Sequence, residues 1–281
     1  MKLPNLNLSF IGCGVMAEAI VAGLLRKELV KSDQIVASHP RLQRRKELTE
    51  KYGICVFEKN AEAVRKIADS GQSAVFLCVK PQRIKYVLED LKGVVLPHQL
   101  VISIIAGVKI ETISKHLNVE KVVRAMPNTP AQIGAGMTAW TCSEKVTQTE
   151  REQVKALLSA LGKEIYVETE NMIDMATSLS ATGPTYIFLV MEALTDAGVH
   201  LGFSREIAKE LVQEMMLGSV LFAIESHKHP AELRNMVTSP GGTSAEAIYQ
   251  MEKGGLRTVL SKAVYAAYKR AVELGEKIAD R

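Results

Sequence analysis

The chain has 281 residues, 47% of them hydrophobic and 23% charged, with a formal net charge of +4. This composition excludes disordered and fibrous chains, and the length predicts one large or two moderate domains able to bury a core without staples. The mild positive excess suits anionic small molecules but is too diffuse for nucleic acid, because the densest basic run is only Arg44-Arg45-Lys46.

The four cysteines, Cys13, Cys55, Cys78 and Cys142, are widely spaced and form no C-x-x-C pair. That pattern argues against a zinc site or redox motif and for a reducing compartment. Residues 1–7 contain no apolar h-region, and no stretch approaches roughly eighteen uncharged apolar residues. A cytoplasmic protein without a membrane span is expected.

The first 168 residues alternate short apolar runs with amphipathic stretches. Residues 6–11, 35–38, 74–79, 101–105, 122–125 and 137–141 read as strands, 162–168 as a closing strand, and 16–29 and 62–68 as helices. Strands alternating with helices imply βαβ units in a parallel, doubly wound α/β sheet of the Rossmann type. After Glu168 only helical spacing persists, as in Tyr186, Val190, Ala193, Leu194 and Ala197, or Leu211, Met215, Val220, Leu221 and Ile224. Two domains are expected: 1–168, which holds the sheet, and 169–281, all helical. The second domain's helices are apolar on more than one face, so packing on a partner chain, hence a homodimer, is expected.

Phe10-Ile11-Gly12-Cys13-Gly14-Val15-Met16-Ala17 closes the first strand and opens the first helix, reading G-x-G-x-x-A. In that context the pattern is the dinucleotide fingerprint. Gly12 suits the tight turn, Gly14 the approach of a pyrophosphate and Ala17 close helix–strand packing, while the helix N-terminus offers free amides. Cys13 has no partner histidine or second cysteine nearby, so it is expected to fill space.

An NAD site usually places Asp or Glu about 20 residues beyond the fingerprint, on the ribose 2′-hydroxyl. Here the second strand ends Ala37-Ser38-His39-Pro40-Arg41, without a carboxylate. Ser38, His39 and Arg41 are therefore expected to accommodate a 2′-phosphate, which makes NADPH the expected cofactor and NADH the alternative. Arg44 and Arg45 are expected simply to coat a solvated helix face.

Farther on, Ser239-Pro240-Gly241-Gly242-Thr243-Ser244 reads as a stiffened loop feeding a helix that starts near Ala245, with Thr243 or Ser244 as its N-cap. Amides at that N-terminus suit a carboxylate, and a hydroxyl sits beside them; the alternative is an ordinary capped turn. Lys80 is expected to offer its backbone rather than its ammonium to a cofactor. His227 and His229 stand at i, i+2, which does not place two ligands on one helix face, so no metal site is expected.

Other segments carry a family resemblance: Val79-Lys80-Pro81-Gln82, Ser103-Ile104-Ile105-Ala106-Gly107-Val108, Met126-Pro127-Asn128-Thr129-Pro130, and Gly183-Pro184-x-Tyr186. Ala193-Leu194-x-Asp196-Ala197-Gly198 follows, and the most specific is Val237-Thr238-Ser239-Pro240-Gly241-Gly242-Thr243-Ser244. With the glycine loop, and in this order along essentially the whole chain, they resemble the pyrroline-5-carboxylate reductase family.

The resemblance implies a homodimer with interleaved C-terminal helices, often built into a decamer, and NAD(P)H-dependent reduction of a cyclic imine to L-proline. It implies that Gly12, Cys13, Gly14, Val15 and Met16 hold the pyrophosphate and that His39 and Arg41 meet the ribose phosphate, with Asn60 near the adenosine. Val79, Lys80, Pro81, Ala106, Gly107 and Val108 would line the nicotinamide side. Glu170 and the turn of Gly241, Gly242, Thr243 and Ser244 would face the substrate, with Thr243 and Ser244 catalytic.

Two positions depart from the family pattern. Ser244 stands where a second threonine is usual, which keeps the hydroxyl but frees its rotamer. Met236 stands where the family often carries an amide side chain, which puts a polar substrate contact there in doubt.

A β-hydroxyacid dehydrogenase would need a lysine on the helix at 185–198, which has none. A ketimine reductase, or an NADPH-binding regulatory protein, remains as the alternative, since nothing in the sequence measures the ring.

Overall fold

The computed structural model describes residues 2–68 and 70–279. Eight strands form one sheet: β1 (Leu6–Ile11), β2 (Ile35–Ser38), β3 (Cys55–Phe57), β4 (Gln72–Leu77), β5 (Leu100–Ser103), β6 (Val122–Met126), β7 (Gly136–Cys142) and β8 (Gly162–Tyr166). Seven helices accompany them: α1 (Val15–Arg26), α2 (Leu42–Tyr52), α3 (Asn60–Arg65), α4 (Ile84–Leu91), α5 (Ile110–Leu117), α6 (Gln148–Ser159) and α7 (Glu170–Ala176). Five more follow among the described residues: α8 (Gly183–His200), α9 (Arg205–Ser226), α10 (Pro230–Met236), α11 (Thr243–Lys253) and α12 (Leu256–Ala279).

The strand order is β3-β2-β1-β4-β5-β6-β7-β8. Alternating residues of β1, β4 and β5 build a core on each face of the sheet. Leu8, Phe10, Phe76 and Ile102 pack with Ile20 and Leu24 of α1 and Leu157 of α6. Ile11, Val75, Leu77 and Val101 pack on the opposite face with α3, α4 and α5. Phe10 and Phe76, in register on neighbouring strands, stack with ring centroids 4.6 Å apart.

Two features of the sheet differ from the sequence-based expectation. Strand β3 is only three residues long at the sheet edge, too short to show a period. Strand β7 runs antiparallel to β6, whereas the other pairings are parallel. The connection at 127–135 is shorter than the dozen or so residues a parallel crossover needs, and it holds only a 3-10 turn. Helix α6 then supplies the crossover that returns β8 parallel to β7.

The chain packs as two compact units, one of Met1–Thr182 with Ala267–Arg281 and one of Gly183–Ala266. The change of periodicity after Glu168 therefore precedes the break in packing. Helix α7 belongs with the sheet because Ile173 is fully buried among Met126, Ala139 and Val167. In the second unit, α8 buries no residue and α9 buries only Ala208 and Val212. Ile187, Phe188 and Leu189 on α8 stay exposed, as do Leu211, Leu221 and Phe222 on α9. Apolar surface of this extent on adjacent helices marks an interface with another protein surface.

Candidate active site

The glycine loop follows directly from β1. Gly12 sits at φ +80°, a conformation glycine enters without penalty, and a Cβ there would collide with the side chain of Val79. Gly14 is the N-cap of α1 and makes no side-chain cap. A Cβ on Gly14 would find only the Gly12 carbonyl, at 3.9 Å, so the protein's own packing does not demand glycine there. The space it leaves open fits a group from outside the chain.

Cys13 donates its N–H to the Ser38 carbonyl (2.9 Å) and Gly14 to the Gly12 carbonyl (2.7 Å). Among the described residues, the amides of Val15, Met16 and Ala17 have no protein acceptor, as expected of a helix N-terminus ready for an anion. The Cys13 side chain is buried, and burial pushes its thiol up to about 12, an effect that Arg44 only partly offsets. It stays protonated at neutral pH and fills space.

At the end of β2 the expected anion-binding residues separate. Ser38 is wholly buried; its hydroxyl accepts from the Gly12 N–H (3.3 Å) and donates to Asn60 Oδ1 (2.8 Å). This departs from the expectation that Ser38 meets a phosphate, because its side chain points inward and ties β2 to the glycine loop. Asn60 in turn donates to Asp90 (3.1 Å).

His39 Nδ1 accepts from the Arg41 N–H (3.2 Å), leaving the ring proton of the neutral imidazole on Nε2. Burial lowers the pKa of His39 below its ordinary 6.5, and the Arg41, Arg44 and Arg45 charges push the same way, so the ring is neutral at pH 7.

Arg44 and Arg45 also differ from their expected role. Their side chains are only 18% and 14% exposed. Arg44 pairs with Glu18 and reaches Glu47 (3.4 Å), while Arg45 pairs with Glu58 (2.8 Å) and donates to the carbonyls of His39 and Pro40. Both are committed because carboxylates from other elements converge on them. Arg41 is exposed and, among the described residues, has no carboxylate within ion-pair reach. Replacing Arg41 by Asp is expected to lower the NADPH-to-NADH preference by about 10- to 100-fold, the scale of one charge-assisted contact. Steady-state rates with the two cofactors read it, and an unaltered ratio places the phosphate elsewhere.

Beyond β4, Val79 packs toward Gly12, and Lys80 is the exposed N-cap of a 3-10 turn whose first residue is Pro81. The loop from β5 to α5 carries Ala106 and Gly107. Gly107 sits at φ +78°, and a Cβ on it would lie 2.8 Å from the Gly275 nitrogen; one on Gly275 would lie 2.6 Å from the Gly107 carbonyl. Two backbones thus meet where no side chain fits, a pairing that sequence reading missed because the glycines are far apart in the chain. Glu170, the first residue of α7, accepts from the Ile110 N–H (2.7 Å) and from Arg124 (3.1 Å).

In the second unit the Gly242 N–H bonds the Ser239 carbonyl (3.1 Å) across Pro240 and Gly241, the latter at φ +69°. Proline followed by a positive-φ glycine is the pattern of a type II turn. Gly242 is itself the N-cap, so α11 starts at Thr243, earlier than expected. Thr243 and Ser244 are first-turn residues and cap nothing. Glycine makes a fair N-cap, and that leaves both hydroxyls and both N–H groups without a protein partner among the described residues. Ala245 and Glu246 donate to the Gly242 carbonyl instead.

A doubly wound sheet with a G-x-G-x-x-A loop at the end of its first strand, followed in the chain by a helical unit, is the architecture of a nicotinamide-dependent oxidoreductase. Residues 170–274 match the family model for pyrroline-5-carboxylate reductase dimerisation, and residues 7–107 match that for NADP oxidoreductase, coenzyme F420-dependent.

A pyrroline-5-carboxylate reductase from Synechocystis sp. is 40% identical over 97% of this chain and 100% of its own. The solved pyrroline-5-carboxylate reductase of Coxiella burnetii superposes with a TM-score of 0.84 at 37% identity, covering 95% of this chain and 98% of that one. The Plasmodium falciparum pyrroline carboxylate reductase with NADP bound gives a TM-score of 0.88 at 29% identity, covering 98% and 100%. The chain belongs to the pyrroline-5-carboxylate reductase family. Its exposed helical faces lie in the dimerisation domain, and it is a homo-oligomer. No helix among the described residues is long and apolar enough to cross a membrane.

Proposed function

We propose that this protein reduces 1-pyrroline-5-carboxylate to L-proline with NADPH, the last step of L-proline biosynthesis, as a cytoplasmic enzyme whose homodimers assemble into a decamer. The observation that carries this reading is the 239–244 turn, with two free amides and two free hydroxyls at the start of a helix. It offers a carboxylate two N–H donors at the positive end of α11 and an imine nitrogen a hydroxyl beside them.

The cofactor would be held by the cradle at Gly14 and the amides of Val15 and Met16, with His39 and Arg41 at the 2′-phosphate and Asn60 near the adenosine. Val79, Lys80, Pro81, Ala106 and Gly107 would line its nicotinamide side. Bound there, NADPH supplies the hydride that adds to the imine carbon.

Thr243 and Ser244 bind the substrate carboxylate through their amides, so much of the rate gain is positioning. The Ser244 hydroxyl donates to the ring nitrogen and passes it a proton from solvent. A cyclic imine is partly protonated in water, so no strong general acid is needed. Ser244→Ala is expected to lower kcat/KM by about 10- to 100-fold without abolishing turnover, the scale of one hydrogen bond to a charged group. An unchanged rate would remove Ser244 from the mechanism.

The test of the whole reading is NADPH oxidation on adding 1-pyrroline-5-carboxylate, run beside the six-membered imine and NADH. Rapid turnover of the five-membered ring supports it. Tight NADPH binding without turnover moves the assignment to a ketimine reductase or to a regulatory NADPH-binding protein.

A further inference from the structure

We propose that Glu170 is a positioning residue that pins the loop between β5 and α5, and that it does so because Arg124 fixes its carboxylate. The proposal rests on the reductase reading only for its kinetic consequence.

Ile110 opens α5, and its N-cap, Lys109, makes no side-chain cap. The Ile110 N–H would be one of the orphan donors of a helix start. It is satisfied instead by Glu170 Oε1 at 2.7 Å, from 60 residues away in the chain. The same oxygen accepts from Arg124 Nη1 at 3.1 Å. Arg124 has no exposed surface, and its other arm donates to Asp174 Oδ1 at 2.6 Å. A guanidinium held in two places offers its fork in one orientation, so the Glu170 carboxylate is fixed as well.

Arg124 also stands at the other end of the loop, since it pairs in register with Ser103, the last residue of β5. Arg124 thus adjoins the loop's entrance through the backbone of the β5–β6 ladder and its exit through Glu170, on either side of the segment that carries Ala106 and Gly107. Within the loop the backbone bonds are few: Ile104 N–H to the Leu77 carbonyl (3.1 Å), Ile105 N–H to the Ser103 hydroxyl (3.3 Å) and Val108 N–H to the Ile105 carbonyl (3.4 Å). On the far side Gly107 rests on Gly275. Losing the Glu170 oxygen frees the loop's exit while its entrance stays in the sheet.

The experiment compares Glu170→Ala, Glu170→Gln and Glu170→Asp in the full chain, reading amide hydrogen exchange over 104–113 in the unliganded protein and then steady-state kinetics. In Glu170→Ala, exchange of the Ile110 amide is expected to quicken about tenfold while β1 and β4 are unchanged, the scale of one lost hydrogen bond. kcat is expected to fall about 10- to 100-fold with the imine KM unchanged, because a loosened loop misplaces the reacting groups without touching the carboxylate turn. Glu170→Gln keeps an acceptor oxygen and is expected to restore both readings to within about threefold.

An imine KM that rises while the 104–113 exchange stays slow would overturn the proposal and make Glu170 a substrate ligand. Glu170→Gln exchanging as fast as Glu170→Ala would overturn it too. If Glu170→Ala does not fold, Glu170→Asp decides: it keeps the charge beside Arg124 but is a methylene short of Ile110, and slow exchange there refutes the pin. The exchange readings require no substrate, so they separate failure of this proposal from failure of the reductase reading.

Discussion

Arg124→Met is expected to destabilise the folded chain by about 3–5 kcal/mol, read as a lowered denaturant midpoint at fixed protomer concentration. Arg124 lies in β6 with no exposed surface and donates to Asp174 and Glu170. Asp174 is itself buried, so removing the guanidinium leaves a carboxylate in the core without its counter-charge. The attraction within the intact pair mostly repays desolvation, which is why the loss comes from breaking it rather than from lacking it. The double variant Arg124→Met with Asp174→Leu is therefore expected to recover most of the lost stability. If the double variant were as unstable as the single one, shape at Arg124 rather than charge would be the cause. Arg124→Lys is not a conservative change here, because a point charge cannot span two carboxylates as the planar fork does.

Gly12→Ala and Gly14→Ala are expected to fail in different ways. At Gly12 an L residue pays about 1–2 kcal/mol for the left-handed conformation, and its Cβ overlaps Val79, which adds about 1–3 kcal/mol of overpacking. The loop must move to relieve both, so stability falls and NADPH affinity drops by about 30-fold or more. At Gly14 the backbone is at φ −84° and the nearest atom to a new Cβ is 3.9 Å away, so the protein is expected to keep its stability. The methyl group nevertheless enters the space over the free amides, and NADPH affinity is expected to fall by a similar factor. Thermal unfolding beside a fluorescence titration with NADPH distinguishes the two. Tight binding by Gly14→Ala would mean that the pyrophosphate does not lie over that residue.

The same loop shows how far the residues could be read without coordinates. The G-x-G-x-x-A spacing, its place after an apolar strand and the lack of a carboxylate near Arg41 are properties of neighbouring residues, and they pointed to a dinucleotide fold with an NADP-type ribose site. The exposed apolar faces of α8 and α9 were equally legible, since helical spacing makes faces that one small bundle cannot bury. Arg124 was read as part of an apolar strand. A lone arginine inside such a run was the one available sign that a buried partner must exist.

What the sequence by itself determined was whatever a period or a short motif records: seven of the eight strands, the switch to helices after them, the glycine loop, the proline–glycine turn before α11 and the need for a partner chain. Only the tertiary structure decided which polar groups are already spent. Ser38 turned inward, Arg44 and Arg45 found carboxylates, Thr243 and Ser244 were left free because Gly242 caps α11, and Glu170 met Ile110 and Arg124. Most of these outcomes depend on contacts between residues tens of positions apart, where burial and competition among hydrogen-bond partners, rather than local spacing, set the result.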